Sequence, residues 1–189
     1  MKSELKPELW ELIGTSFSCS NLSYTNNGGL PSQLKKVGHI ELVRTHLNIY
    51  AYLDPEANTL YIATMGSKHM PQWVKDDINL WLQGKPLSAT NEVTQAVQKI
   101  MDANPFATVI FTGHSLGAAM ATWFSSVFKK VALVFDNPGI GRPIDDSRVV
   151  SFQSLDNFVN KIGYCCGTVI KLAPATSTAL KIQFFSSTC

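Results

Sequence analysis

The chain predicts an α/β fold, a mostly parallel central sheet flanked by helices, in a single domain spanning residues 1–189. Three observations predict it. From residue 58 onward, apolar strand-like runs and helical stretches follow in the order strand, helices, strand, helix, strand, strand. Residues 107–121, ATVIFTGHSLGAAMA, pass from an apolar strand through a Gly-bounded turn into small helix formers. The 189 residues, 45% hydrophobic and 16% charged, suffice for one core, and no internal repeat or long linker divides them.

Residues 3–13 read as a short helix, with Leu5, Leu9 and Ile13 at i, i+4 spacing and Trp10 on the same face. Residues 14–38 are polar and rich in Gly, Ser and Asn, with Asn26-Asn27-Gly28-Gly29 as the strongest turn signal. Strands are expected at 40–44, 47–53 and 58–64, the last two joined by Asp54-Pro55-Glu56-Ala57. Leu47, Ile49, Ala51 and Leu53 alternate as in an antiparallel strand near a sheet edge. Residues 71–83 form an amphipathic helix through Val74, Ile78, Trp81 and Leu82. A second helix, 90–103, carries Val93, Ala96, Val97, Ile100 and Met101 on one stripe and stops before Asn104-Pro105. After the elbow strand, with its apolar run Val109, Ile110 and Phe111, come a helix at about 116–129, a strand at 131–135 and the turn Asn137-Pro138-Gly139-Ile140-Gly141. A strand at 148–153, a helical stretch at 156–163 and strands around 168–172 and 180–185 complete the series.

Composition excludes several functions. A net charge of +2 without a basic cluster gives no footprint for nucleic acid; Lys35-Lys36 and Lys129-Lys130 are isolated, solvated pairs. No run of 18 apolar residues exists that could cross a membrane as a helix. The opening MKSELKPELWELIG lacks the apolar core of a secretory signal, so a cytoplasmic address is expected, with signal-independent export left open. Cys19, Cys165, Cys166 and Cys189 lack metal-ligand spacing and do not suggest a disulfide framework, which fits a reducing compartment. No metal and no organic cofactor are expected, because neither a ligand cluster nor a Gly-rich phosphate loop is present.

The motif with chemical content is Gly113-His114-Ser115-Leu116-Gly117. A serine on a sharp strand-to-helix turn is lifted above the sheet, and glycines flank it where larger side chains would collide with strand and helix. The helix that follows points unpaired amides at the place where an oxyanion would form.

With these residues in hand, the chain resembles the lipase class 3 branch of the α/β-hydrolases over residues 45–165. Three segments carry the resemblance: YIATMGSKHMPQWVKDDINLW (61–81) at the oxyanion strand, TVIFTGHSLGAAMA (108–121) at the nucleophile elbow, and ALVFDNPGIG (132–141) at the strand and Pro-Gly turn after it. The resemblance implies Ser115 as nucleophile, with the Leu116 amide as one oxyanion donor. It implies Ser67, after Gly66, as the second. The family's arginine before that glycine is Met65 here. Asp156, just past VVSFQSL, takes the place of the acid that would orient an imidazole; it also suits a helix N-cap, and Asp136 is the second choice. Asp145 and Asp146, in a polar loop, are expected to face solvent.

The histidine departs from the pattern. Triad order in this fold is Ser, Asp, His, yet His114 is the last of four histidines. Against the family, the chain therefore looks short at its C-terminus. His114 should pack behind the turn, His39 is a weak candidate, and His69 and His46 are the histidines that could reach the rim as substitute bases. The expected activity is a serine acyl-ester hydrolase on a lipid or carboxylic ester, a substrate that allows contact with a lipid surface. Phe111, Met120, Trp73 and Trp81 are expected to offer apolar surface to an acyl chain. The alternative is a catalytically impaired hydrolase-fold binding or scaffold protein; transfer of the acyl group to an acceptor other than water stays open.

Overall fold

Among the described residues, eight strands form one sheet in sequential order, so each strand pairs with the next one along the chain. The structure is a computed structural model that describes residues 6–25, 29–42, 47–66, 90–140, 147–155, 167–172 and 182–183. Strands β1 (Lys35–Leu42), β2 (Leu47–Asp54) and β3 (Thr59–Thr64) form an antiparallel meander. Strands β3, β4 (Thr108–His114), β5 (Val131–Phe135), β6 (Val149–Ser154) and β7 (Thr168–Leu172) are parallel, and β8 (Ile182–Gln183) returns antiparallel. Five parallel strands end at one rim, marked by their last residues Thr64, His114, Phe135, Ser154 and Leu172.

Two cores lie on the two faces of the sheet. On one, α2 (Thr90–Asp102) contributes Val93 and Val97, while α3 (Leu116–Phe128) contributes Ala118, Ala119, Met120, Ala121 and Phe124. These pack on Ile49, Ile62, Phe111, Ala132 and Val134. The run of alanines lets α3 lie close to the sheet, and Phe111 fills the space beneath it, 5.5 Å from Phe124 and 5.8 Å from Phe128 by ring centroids. Phe111 and Met120 are thus core residues, 0% and 3% exposed, and not the acyl-facing surface expected of them. Trp73 and Trp81 lie outside the described residues, as does the helix expected at 71–83.

The other face is covered by α1 (Pro7–Leu22), which runs nine residues past the end of its expected helix. Pro7 suits the first helical turn, where its missing N–H costs nothing, and Glu8 complements the helix dipole. Beyond Gly14 the sequence looks like a loop because Ser and Thr are poor helix formers. Tertiary packing overrides this. Ile13, Ser16, Cys19 and Ser20 fall on one stripe, and the small side chains of the last three bring the helix down onto Tyr52, Tyr61 and Ile110. The Thr112 hydroxyl donates to the Ser16 carbonyl at 3.0 Å and ties α1 to β4.

The first strand also starts earlier than expected, at Lys35. It is an edge strand with exposed lysines and a register shift between Lys36 and Gly38, so it shows no hydrophobic alternation to read. Gly38 leaves room for α2: a Cβ there would sit 3.2 Å from the Ile100 Cδ1. The expectation of antiparallel pairing for residues 47–53 is met, with Ile49 opposite Thr64. The expected helical stretch at 156–163 falls outside the described residues.

Candidate active site

At the centre of the rim, β4 gives way to α3 within a single residue, Ser115. Its backbone adopts φ 55° and ψ −125°, a region that L-residues avoid and that stores about 1–3 kcal/mol. The surroundings hold it there. The Ser115 amide donates to the Phe135 carbonyl at 3.0 Å, anchoring the turn to β5. Its own carbonyl accepts the Ala118 and Ala119 amides at 2.9 and 3.3 Å, which starts the helix.

Both flanking glycines are required by contact. A Cβ at Gly113 would overlap the Gly117 carbonyl group and lie 2.9 Å from the Ala118 nitrogen. A Cβ at Gly117 would overlap the Thr64 carbonyl oxygen and lie 3.0 Å from the Gly66 nitrogen. The start of α3 therefore touches the end of β3. Leu116, the expected oxyanion donor, is the first residue of α3, with the positive end of the helix dipole behind its amide. Ser67, the expected second donor, lies outside the described residues, but Gly66 before it is described and buried.

The end of β3 is fixed from two sides. The Met65 amide donates to the Asn48 carbonyl at 2.9 Å, and the Gly66 amide donates to the Tyr24 hydroxyl at 3.0 Å. That hydroxyl lies 3.1 Å from the His114 carbonyl, to which it donates, and 3.4 Å from the His114 Nδ1. Burial pushes the Tyr24 phenol above its ordinary value, with the Gly66 bond acting in the opposite direction.

Of the expected acids and bases, Asp156, His69 and His46 lie outside the described residues, as do Asp145 and Asp146. Asp136 is described. It follows β5 with φ 44°, and its carboxylate is held by β6: Oδ1 accepts the Ser154 amide at 2.7 Å and Oδ2 the Ser154 hydroxyl at 3.0 Å. Its Oδ2 also faces the His114 Nε2 at 3.6 Å. The His114 ring therefore turns to the α1 side of the rim, toward Tyr24 and Asp136. His39 sits mid-way along the edge strand, stacked on Tyr50 and 3.0 Å from the Asn48 Oδ1.

Beside the elbow on this side is a cavity of about 760 Å³. Phe17, Phe135, Phe152 and Leu172 give it apolar walls, and His114 and Asp136 give it a polar edge. Neither Tyr24 nor Ser154 was marked by sequence reasoning; both lie in polar stretches without a motif. On the opposite side the Pro-Gly turn is buttressed by α3, where the Asn137 amide donates to the Thr122 hydroxyl at 2.9 Å. Among the described residues no His, Cys, Asp or Glu cluster is spaced to hold a metal, and no helix is long and apolar enough to cross a membrane.

A serine presented by a strained strand-to-helix turn, at the carboxyl rim of a mostly parallel sheet covered on both faces, defines the α/β-hydrolase class. Within it, the chain belongs to the lipase (class 3) family, whose model matches residues 38–138. It is similar in fold to the Rhizomucor miehei lipase in its propeptide complex, with a TM-score of 0.68 at 14% identity over 97% of this chain and 74% of that one. Lipase II from Rhizopus niveus gives 0.66 at 14% identity, covering 97% and 86%. A triacylglycerol lipase from Penicillium expansum gives 0.61 at 15%, covering 90% and 82%. Comparison with curated protein sequences gives no match. Family and fold make this a lipase-like hydrolase.

Proposed function

We propose that the chain hydrolyses a lipid or other carboxylic ester through an acyl-enzyme on Ser115. The observation that supports this most is the backbone of Ser115 itself, held at φ 55° between two glycines that tolerate no side chain. The Ser115 Oγ attacks the ester carbonyl and its proton passes to an imidazole. Charge on the carbonyl oxygen is met by the amides of Leu116 and Ser67. Collapse expels the alcohol, which takes that proton, and water then releases the acid from the acyl-enzyme. His69 and His46 are the candidate bases: His69 lies two residues past Ser67, and antiparallel β2 begins at Leu47, just after His46. Asp156 is the proposed acid, two residues along the sequence from Ser154, the last residue of β6.

The test is turnover of short-chain nitrophenyl esters between about pH 6 and 9, spanning the ordinary imidazole value of about 6.5. Wild type should turn over and Ser115→Ala should not. His69→Ala or His46→Ala, whichever removes the base, should abolish the neutral-pH activity. Equal hydrolysis by wild type and Ser115→Ala would dismiss Ser115 as nucleophile.

A second reading is favoured by the absence of any histidine after His114 in this sequence. On it, the fold binds a lipid or protein without turnover. Binding should then survive Ser115→Ala, with no ester cleaved at any pH in the range.

A further inference from the structure

We propose that Tyr24 is a positioning residue for ester hydrolysis, its hydroxyl tying the β3 end that leads into Ser67 to the elbow that carries Ser115. The proposal rests on the assignment of Ser115 and Ser67 made above. An oxyanion hole built from two chain segments works only if those segments keep their spacing, because donors must meet the charge as it develops. Here the ladder between the segments ends at Thr64 opposite Gly113. Two residues later, at Ser115, β4 has turned into the elbow. Tyr24 fills that place.

The geometry is specific. The phenol oxygen accepts the Gly66 amide at 3.0 Å and donates to the His114 carbonyl at 3.1 Å, so one hydroxyl joins the residue before Ser67 to the residue before Ser115. Gly66 is shaped around it: a Cβ there would overlap the Tyr24 hydroxyl and lie 2.8 Å from the His114 carbonyl oxygen. Tyr24 is itself fixed by the turn that closes α1, where its amide donates to the Asn21 carbonyl at 3.0 Å. That helix is bonded to β4 through Thr112 and Ser16. The ring also meets the His114 imidazole edge to face, with centroids 6.0 Å apart. The phenol, whose ordinary value of 10.0 burial raises further, is protonated through the neutral range, so it can both accept and donate.

Tyr24→Phe keeps the ring and removes only the bridging oxygen. Two readouts separate positioning from mere stability: the rate of Ser115 labelling by a fluorophosphonate, and amide hydrogen exchange at Gly66. The variant should label about tenfold more slowly, less than the 10²–10³-fold cost of deleting an oxyanion donor. On a nitrophenyl ester the loss should fall on kcat, with KM within about twofold. Gly66 exchange should accelerate. Wild-type labelling by a folded Tyr24→Phe overturns the proposal and leaves Ser115 as nucleophile. A wild type that never labels overturns the Ser115 assignment and this proposal with it. Should Tyr24→Phe fail to fold, native wild type decides: a protected Gly66 amide supports the tie, and exchange at the rate of an open amide overturns it.

Discussion

Adding one methyl group at Gly117 should separate the two segments that make the site. In Gly117→Ala the new Cβ would overlap the Thr64 carbonyl oxygen and stand 3.0 Å from the Gly66 nitrogen. Both are backbone atoms, at and just past the end of β3, and cannot rotate aside. Relief requires α3 to lift by about 1 Å, which strips contact from Ala118, Ala119, Ala121 and Phe124, all 0% exposed. Overpacking of this kind costs about 1–3 kcal/mol. For a chain of this length that lowers Tm by roughly 3–10 °C. The same lift carries the Leu116 amide away from the proposed oxyanion position, and a misplacement of about 1 Å can cost about 10²-fold in rate. Thermal unfolding and fluorophosphonate labelling measure the two effects. Gly14→Ala is the control: this exposed α1 residue has nothing within 4 Å of its added Cβ and should gain about 0.5–1 kcal/mol with unchanged labelling. If Gly117→Ala matches wild type in Tm and labelling, the close approach of α3 to β3 does not set the geometry of the site.

Further expectations concern strain and buried acids. Ser115→Gly relieves the φ 55° conformation and should raise stability by about 1–3 kcal/mol in urea unfolding while ester turnover is lost; a variant less stable than wild type would contradict strain at the elbow. Burial pushes the Cys19 thiol from its ordinary 9.0 up to about 12 and the Tyr61 phenol from 10.0 to about 12. Both pKa values are raised on folding, so the stabilisation is complete below the unfolded values and falls as pH rises from about 9 toward 12. Urea midpoints should drop over that window, less steeply in Cys19→Ala; a flat profile would refute the burial of these groups as acids.

The elbow was legible because its physics is local. Gly113, Ser115 and Gly117 are neighbours in sequence, and their spacing states the steric problem that the fold later poses. Strands β2 to β7 were legible for a similar reason, through continuous apolar runs or regular alternation. The far half of α1 was not, since Ser16, Cys19 and Ser20 are chosen for close packing on the sheet and not for helix propensity. Nor was β1, an exposed edge whose lysines conceal its period. Tyr24 gave no local signal at all: its partners stand 42 and 90 positions away, and only the folded chain brings them together. The pairing of His114 with Asp136 is equally non-local, created by the register of β4 on β5. Phe111 and Met120 misled because an apolar residue near an elbow serves a core as readily as an acyl chain.

The most direct test is to incubate the native protein with a fluorophosphonate and locate the adduct by peptide mass spectrometry. A single adduct on Ser115, formed at neutral pH and lost on prior unfolding, is the predicted result. An unmodified Ser115, or an adduct formed as readily on other serines, would contradict its activation by the elbow.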